Sequence, residues 1–233
     1  MSFLNTILNI VFPVKCVSCG KNESDFCIKC LSDSPPAERE NPEWIFSLYD
    51  YRHPPIKKAL WLLKYKGKKR LTKSFAEVIY EKILEELSDL SIMENFNNII
   101  LIPIPLSRKR MRERGYNQAE LICRELVKIN NLRRGSEVDT ASSTGSVNLK
   151  LENDILIKIK ETERQARIEN RKKRLENILG SFSVKNEEQN KKLINRNIIL
   201  IDDITTTGAT LNEARKILKK AGARKVIAFT VAH

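Results

Sequence analysis

Short apolar runs and helical periodicity alternate along much of the chain. Residues 99–102 and 198–201 are four-residue apolar runs, typical of strands that are buried on both faces in a parallel sheet. The second run is followed by apolar positions at helical spacing, by Gly222 as a helix end, and by a further apolar strand at 226–231. Two upstream helices are predicted from Ile56, Leu60, Leu63 and from Phe75, Val78, Ile79, Ile83, Leu84, Leu87. We therefore expect an α/β fold with a mainly parallel central sheet.

Polar residues follow the strand at 198–201 in an unusual order, Asp-Asp-Ile-Thr-Thr-Thr-Gly-Ala-Thr. Asp202 and Asp203 should lie at the carboxyl end of the strand, where parallel sheets bind ligands. A helix N-terminus with hydroxyls beside it suits a phosphate, and Gly208 permits a close turn. The predicted cradle comprises Thr205, Thr206, Thr207, Gly208, Ala209 and Thr210. Because two acids repel a bare phosphate, they suit sugar hydroxyls or a divalent cation. The pattern predicts a site for a phosphorylated sugar.

Two other interpretations of this segment fit less well. As the metal-binding strand of an ATPase it would need a G-x-x-x-x-G-K-[ST] loop, which the chain lacks. As an ordinary strand-turn-helix it would leave two acids and three adjacent threonines without a packing role.

Four cysteines form two C-x-x-C pairs near the start of the chain, Cys16 with Cys19 and Cys27 with Cys30. This spacing predicts a structural zinc site of four thiolates. A redox pair is the alternative. Two disulfides fit less well, because we find no credible secretory signal and cytosolic thiols stay reduced.

The 233 residues suit one domain with a small additional module. We predict a helix and zinc-binding module at 1–33, a Pro-rich linker at 34–48 and the main domain at 49–233. Residues 1–13 are interpreted as a short amphipathic helix, with a signal peptide as the competing view. No stretch approaches the length of a membrane span, and a cytoplasmic location is expected.

The net charge of +13 is clustered, which indicates polyanionic partners. One cluster contains Trp61, Tyr65 and the bases Lys64, Lys66, Lys68, Lys69, Arg70 and Lys73. It suits either single-stranded nucleic acid or a solvated basic face, and both readings stay open. A second cluster, whose place after a predicted strand favours ligand phosphate, contains Arg108, Lys109, Arg110, Arg112 and Arg114.

Two further segments could border a ligand. Pro103-Ile104-Pro105-Leu106 ends the strand at 99–102 in a rigid turn that suits a pocket wall. Residues 157–179 are charged and helix-prone, with Gln165, Arg167, Arg171 and Arg174 among sparse apolar positions. That stretch is interpreted either as a solvated helix or as a lid that closes over a diphosphate.

Residues 199–210 resemble the phosphoribosyl diphosphate (PRPP) motif of type I phosphoribosyltransferases. The whole chain resembles the competence protein F family, zinc-bearing phosphoribosyltransferase-like proteins linked to DNA uptake in natural transformation. Besides the cysteines and the acidic loop, the resemblance is carried by Leu63-Lys64-Tyr65-Lys66-Gly67, Ile102 to Leu106, Arg114-Gly115-Tyr116-Asn117-Gln118, and Gln165 with Arg171 and Asn177. The stretch 133–155 is longer and more polar than this family leads us to expect.

The resemblance implies a small hood beside the sheet and a set of ligand contacts. Asp202 and Asp203 would bind the ribose hydroxyls and Thr205 to Thr210 the 5-phosphate. The pyrophosphate would meet Ile104, Pro105, Leu106, Arg108 and Arg114, with Gln165 and Arg171 in the lid and Mg²⁺ bound with PRPP.

Three functional hypotheses follow from the resemblance. The first is a phosphoribosyltransferase that uses a nitrogen nucleophile as its acceptor. The second is an accessory of transformation that binds PRPP or single-stranded DNA without turnover, while its zinc module docks a DNA-processing protein. The third and weakest is a PRPP-sensing regulator, since no helix-turn-helix is legible.

Overall fold

The computed structural model describes residues 14–22, 24–38, 42–94, 96, 98–136, 147–161 and 176–233. Strands and helices alternate through most of this part, as the apolar pattern predicts. Its helices are α1 (Ile28–Ser32), α2 (Pro54–Tyr65), α3 (Leu71–Glu94), α4 (Arg108–Arg114), α5 (Gln118–Ser136), α6 (Glu187–Leu193) and α7 (Ala209–Lys220). Its strands are β1 (Ile45–Tyr49), β2 (Ile99–Pro103), β3 (Leu149–Leu151), β4 (Leu156–Lys158), β5 (Phe182–Val184), β6 (Asn197–Ile204) and β7 (Lys225–Ala232).

The central sheet has five strands in the order β1-β7-β6-β2-β3, and every neighbouring pair is parallel. The α/β prediction is therefore confirmed. The central strands are buried on both faces, which explains their continuous apolar runs. A separate antiparallel hairpin pairs β4 with β5.

Alternate residues of β6 enter two hydrophobic cores on opposite faces of the sheet. Ile199 and Ile201 pack on the face covered by α3 and α5. Ile198 and Leu200 pack on the face covered by α7 and the β4-β5 hairpin. Helix α5, which comes after β2 along the chain, therefore lies on one face of the sheet, and helix α7, which comes after β6, lies on the other. The two neighbouring strands form a switch point, and their carboxyl ends open into a crevice where ligands of such sheets bind.

The N-terminal segment packs directly against the main domain. Phe26 and Leu31 are fully buried in the core that contains α3, and the Phe26 ring meets Phe75 edge-on with centroids 6.3 Å apart. Strand β1 begins at Ile45, inside the segment 34–48 that the sequence analysis interpreted as a linker. That residue is buried, and the strand hydrogen-bonds in register with β7.

Three local details differ from the sequence analysis or lie outside the described residues. Pro103 stays in the sheet opposite Ile201. Proline has no N–H to donate, and the next amide, Ile104 N, donates to Ile201 O at 2.9 Å. Residues 157 and 158 belong to β4 rather than to a helix. The segments 1–13, 137–146 and 162–175, including Gln165, Arg167, Arg171 and Arg174, lie outside the described residues. Within the described part, no helix is both long and apolar enough to cross a membrane.

Candidate functional site

Asp202 and Asp203 lie near the end of β6 and line a cleft of about 250 Å³ at the switch point of the sheet. Asp203 is 7% exposed and Asp202 is half-buried. The backbone N–H of Asp203 donates to Oδ1 of Asp202 at 2.8 Å, which fixes the first carboxylate relative to the strand. The acids are thus neither sealed in the core nor fully hydrated, which is an arrangement suited to a polar ligand.

Lys64, at the C-terminal turn of α2, makes an ion pair with this acid pair. Its Nζ lies 2.9 Å from Oδ1 of Asp203, and the side chains are 16% and 10% exposed respectively. The sequence analysis placed Lys64 in a basic cluster that suited either single-stranded nucleic acid or a solvated basic face. Four other members of the cluster also have neighbours: Lys68 and Arg70 pair with Asp25, Lys66 lies over Trp61, and Lys69 lies over Tyr116.

Burial and the neighbouring charge of Asp203 raise the pKa of Asp202 to about 7, although Lys64 and Lys158 act in the opposite direction. Lys158, on β4, lines the same cleft, and burial followed by repulsion from Arg110 lowers its pKa to about 8. Four bases therefore share the cleft with two acids, namely Lys64, Arg110, Arg114 and Lys158. The excess of positive charge from these four bases favours an anionic ligand.

The threonine turn joins β6 to the N-terminus of α7. Thr205 N donates to Ala232 O at 3.0 Å, and Nε2 of His233 donates to Thr206 O at 2.7 Å. Gly208 has φ of +71°, and a Cβ there would lie 3.3 Å from Nδ2 of Asn212. These contacts hold the turn in a defined shape beside the helix N-terminus, where an anion is favoured.

The 114–118 motif ties the loop after β2 to helix α2. Nδ2 of Asn117 donates to Ile104 O at 2.9 Å, and the Tyr116 hydroxyl donates to Leu63 O. Nη1 of Arg114 donates to Oε1 of Gln118 at 2.9 Å, and the Arg114 guanidinium lies 5.5 Å from the Tyr65 ring centroid. The motif therefore fixes one wall of the cleft relative to the helix that carries Lys64.

The structure brings part of the predicted site together. The residues of that prediction that line the cleft are Asp202, Asp203, Thr206, Thr210, Ile104, Pro105, Leu106 and Arg114. Thr205, Gly208 and Ala209 are buried in the turn, Thr207 is half-buried beside it, and Arg108 is exposed on α4. Arg110 reaches the cleft where Arg108 does not. The sequence analysis included Arg110 in the basic cluster expected to meet ligand phosphate, and its spacing of four residues from Arg114 brings the two side chains to the same part of helix α4.

Other cleft residues were missed by the sequence analysis or assigned a different role. Lys158, Asn117 and Gln118 line the wall, and Tyr51, Trp61 and Tyr65 lie around it. Trp61 and Tyr65 are each 47% exposed, with ring centroids 6.3 Å apart. No local pattern marks Lys158, since it enters the cleft through a three-residue strand.

The four cysteines form a second candidate site. Their Sγ atoms all lie within 4.8 Å of one another, and Cys16 and Cys19 lie 3.7 and 3.9 Å from the Cys27 sulfur. Tetrahedral zinc with Zn–S bonds of about 2.3 Å requires S···S separations of roughly 3.8 Å. The pKa values of two neighbouring thiols shift in opposite directions. Burial opposes ionisation of Cys16, but backbone N–H hydrogen bonds outweigh it and lower the pKa of Cys16 to about 6. A backbone hydrogen bond acts in the same direction on Cys27, but burial and the hydrogen bonds with the other thiols outweigh it and raise the pKa of Cys27. The cluster could therefore bind a metal such as zinc.

A sequence model of the phosphoribosyl transferase domain matches residues 141–233 of the chain. Competence protein F of Haemophilus influenzae is 26% identical over 226 residues, covering 92% of this chain and 82% of that protein. Competence protein ComFC of Bacillus subtilis is 31% identical over 188 residues, covering 79% of this chain and 62% of that protein. DNA utilization protein YhgH of Escherichia coli K12 is 23% identical over 202 residues, with coverages of 86% and 74%.

Among solved structures, a hypoxanthine phosphoribosyltransferase from Staphylococcus aureus is 14% identical, with a TM-score of 0.31, over 68% of this chain and 62% of that chain. The parallel sheet and the sequence match over β3 to β7 define an α/β protein with a phosphoribosyl transferase domain. The chain is similar to competence protein F, ComFC and YhgH, and its residues 141–233 match the phosphoribosyl transferase domain.

Proposed function

We propose that the chain binds PRPP in the cleft and transfers its phosphoribosyl group to a nitrogen acceptor, with release of pyrophosphate. The observation that carries this proposal is the acid pair, which faces a cleft lined by four bases and by the threonine turn. Sugar hydroxyls suit the acids, and phosphates suit the bases and the turn. One ligand that carries a diol between two phosphoryl groups satisfies all three elements.

In this proposal each wall of the cleft has a distinct role. Asp202 and Asp203 accept hydrogen bonds from the ribose 2- and 3-hydroxyls. The turn from Thr205 to Thr210 holds the 5-phosphate, with Thr206 and Thr210 facing the cleft. Arg110, Arg114 and Lys158, which line the cleft together with Ile104, Pro105 and Leu106, stabilise negative charge on the departing pyrophosphate. Gln165 and Arg171, which lie outside the described residues, complete the proposed set.

Transfer then needs no covalent enzyme intermediate. The bond from C1 to the pyrophosphate oxygen breaks, a bond from C1 to the acceptor nitrogen forms, and that nitrogen loses its proton. The chain contributes orientation and fixed charges that match the transition state. Mg²⁺ bound to PRPP would supply further neutralisation of the diphosphate. Two carboxylates and a polar cleft are compatible with a hydrated Mg²⁺ complex entering with the ligand.

Calorimetric titration of PRPP with Mg²⁺ tests the binding step. The Asp202→Asn, Asp203→Asn double variant should bind at least about 100-fold more weakly, because each charge-assisted hydrogen bond contributes roughly 1.5–3 kcal/mol. The matched control is Glu187→Gln, Glu188→Gln, which removes two adjacent acids from the exposed start of α6 and should bind like wild type. Equal affinity of wild type and the aspartate double variant would contradict the proposed site.

Pyrophosphate release across a panel of purines, pyrimidines and amines tests turnover. Wild type should release pyrophosphate with at least one acceptor, and the aspartate double variant should not. If the wild type binds PRPP but releases no pyrophosphate with any acceptor, the transferase activity is refuted and only a PRPP-binding function remains.

A second candidate function is single-stranded DNA binding without turnover. It is favoured by the aromatic pair Trp61 and Tyr65, which is half-exposed at the cleft with Lys66 5.4 Å from the Trp61 ring centroid. Exposed aromatic rings next to bases suit nucleobase stacking and phosphate neutralisation. The observation is independent of the acid pair.

Fluorescence anisotropy with a labelled oligonucleotide at several salt concentrations tests this candidate. Trp61→Ala should weaken binding by about 1–3 kcal/mol, which is the range for one base stack. Lys66→Ala should also reduce the salt slope by about 1, whereas Lys191→Ala, on the exposed part of α6, should not. Absence of any salt-dependent binding by wild type would remove this candidate.

For the cysteine cluster, the proposed ligand is structural Zn²⁺ held by Cys16, Cys19, Cys27 and Cys30. The separations of the sulfur atoms support four-coordination, which leaves no open position for catalysis. The proposed organisation is a zinc module at 1–33 joined to a phosphoribosyltransferase domain, with docking of a DNA-processing protein as a further possibility for the module surface.

A further inference from the structure

The ammonium group of Lys64 lies where a divalent cation would have to bind Asp203. Its Nζ is 2.9 Å from Oδ1 of that acid, and both side chains are largely buried. Mg²⁺ requires oxygen ligands at about 2.0–2.1 Å and keeps several waters. An ammonium group and a hydrated ion therefore exclude each other at this carboxylate.

The position of Lys64 is fixed by its surroundings. The residue is on the last turn of α2, next to Leu63, whose carbonyl accepts the Tyr116 hydroxyl and whose side chain is fully buried. Tyr65, on its other side, lies under the guanidinium of Arg114. These contacts on both neighbours restrict the helix end and direct one base at the acid pair.

Without Lys64, two adjacent carboxylates would face a partly buried cleft with only Arg110, Arg114 and Lys158 to balance their charge. Such acid pairs relieve their repulsion by taking up a proton or a cation. We propose that Lys64 is the resident counter-cation of the acid pair, which keeps Asp202 and Asp203 from binding a divalent ion on their own. It is a positioning residue, since it acts through Asp203.

One consequence concerns the ligand. A metal ion would enter the cleft already bound to the phosphates of the ligand, and it would not bind to the protein before the ligand does. This consequence rests on the proposed function, whereas the metal titration below uses no organic ligand.

Mn²⁺, measured by the electron paramagnetic resonance signal of the free ion, tests the proposal on the zinc-loaded protein. Wild type and Lys64→Arg should bind no Mn²⁺ at the acid pair. Lys64→Met should gain one site, at least about tenfold tighter than any binding by wild type. Lys64→Met with Asp203→Asn should lose the gained site. Lys158→Met is the matched control. It removes a base from the same cleft, but the base that pairs with Asp203 is Lys64, so this variant should gain less affinity for Mn²⁺.

Any of three results overturns the proposal. They are tight Mn²⁺ binding by wild type that Asp203→Asn abolishes, no gain in a folded Lys64→Met protein, or a gained site that survives Asp203→Asn. Should Lys64→Met fail to fold, Lys64→Gln retains a hydrogen-bond donor and must give the same gain. If PRPP fails to bind wild type while this Mn²⁺ pattern is found, the proposed function fails and the role of Lys64 stands.

Discussion

The cysteine module and the acid-pair cleft both concentrate acidic groups, but they differ in what balances the charge. In the module, the sulfur atoms of Cys16, Cys19, Cys27 and Cys30 come within 4.8 Å of one another, as the ligands of one tetrahedral metal ion would. In the cleft, Lys64 from a distant helix pairs with Asp203. The cysteine cluster therefore suits a bound metal ion, whereas the acid pair already has the ammonium group of Lys64 as its counter-ion. Adjacent acidic groups therefore do not by themselves identify a metal site.

The two regions also differ in what holds them together. The described residues of the module, 14–22 and 24–33, include one five-residue helix, and few of them are fully buried. The cleft stands on a sheet whose strands are buried on both faces. We expect the module to depend on metal and the cleft to depend on packing, and the following predictions test that difference in order of expected effect.

Cys16→Ser should produce the largest change, because it removes one of the four sulfur ligands. Structural zinc contributes roughly 10–16 kcal/mol of apparent binding free energy to small modules, so we expect loss of zinc and unfolding of the module. Zinc content by atomic spectroscopy and a thermal melt measure the effect. Cys123→Ala, at a buried thiol on α5, is the control and should retain zinc; full zinc retention in Cys16→Ser would contradict the four-cysteine site.

Phe229→Ala should destabilise the sheet without affecting the metal. Phe229 is fully buried on β7 and stacks on Phe46 with centroids 5.0 Å apart. The free energy of unfolding should fall by about 3–5 kcal/mol in a denaturant titration. Leu132→Ala, at a residue that is 74% exposed, should change it by less than about 0.5 kcal/mol. Loss of zinc from the folded Phe229→Ala protein would show that the two regions are not independent.

The acid pair should give the protein a measurable pH dependence of stability. The pKa of Asp202 is raised from 3.8 to about 7, so the folded state binds a proton that the unfolded state has released between those values. The stabilisation is present below pH 4 and is lost as the pH rises toward 7, at a slope of at most about 1.4 kcal/mol per pH unit. Denaturant titrations from pH 4.5 to 7 should show this slope in wild type and a smaller one in Asp202→Asn. Equal slopes in the two proteins would mean that Asp202 is not the responsible group.

Asp25→Asn should have the smallest effect, although it lies between the two regions. Asp25 is 5% exposed and pairs with Lys68 at 3.6 Å and Arg70 at 3.2 Å, but both bases are about half-exposed. Solvent screening therefore limits the expected loss to about 1 kcal/mol in the free energy of unfolding. Glu38→Gln, which removes an exposed ion pair with Arg52, should cost less than about 0.5 kcal/mol. A loss as large as that of Cys16→Ser would make this contact, rather than the metal, the main support of the module.

Much of the fold was determined by the sequence alone, since its signals are local. The apolar runs predicted β2 and β6, and helical spacing predicted α2, α3 and α7. The spacing of the cysteines predicted their cluster, and the position of Asp202 and Asp203 after an apolar run placed them at the strand end. Each of these inferences needs only the geometry of a single element or turn.

Only the tertiary structure decided which side chains meet at the cleft. Lys64, Arg110 and Lys158 come from an α-helix, a second helix and a short hairpin, and no period in the sequence relates them. The 114–118 motif was recognised, but its role in joining Ile104 to Leu63 depends on how α2 packs beside the loop after β2. A side chain's partner across the fold is set by the relative placement of whole elements, which arises from the shared cores rather than from neighbouring residues.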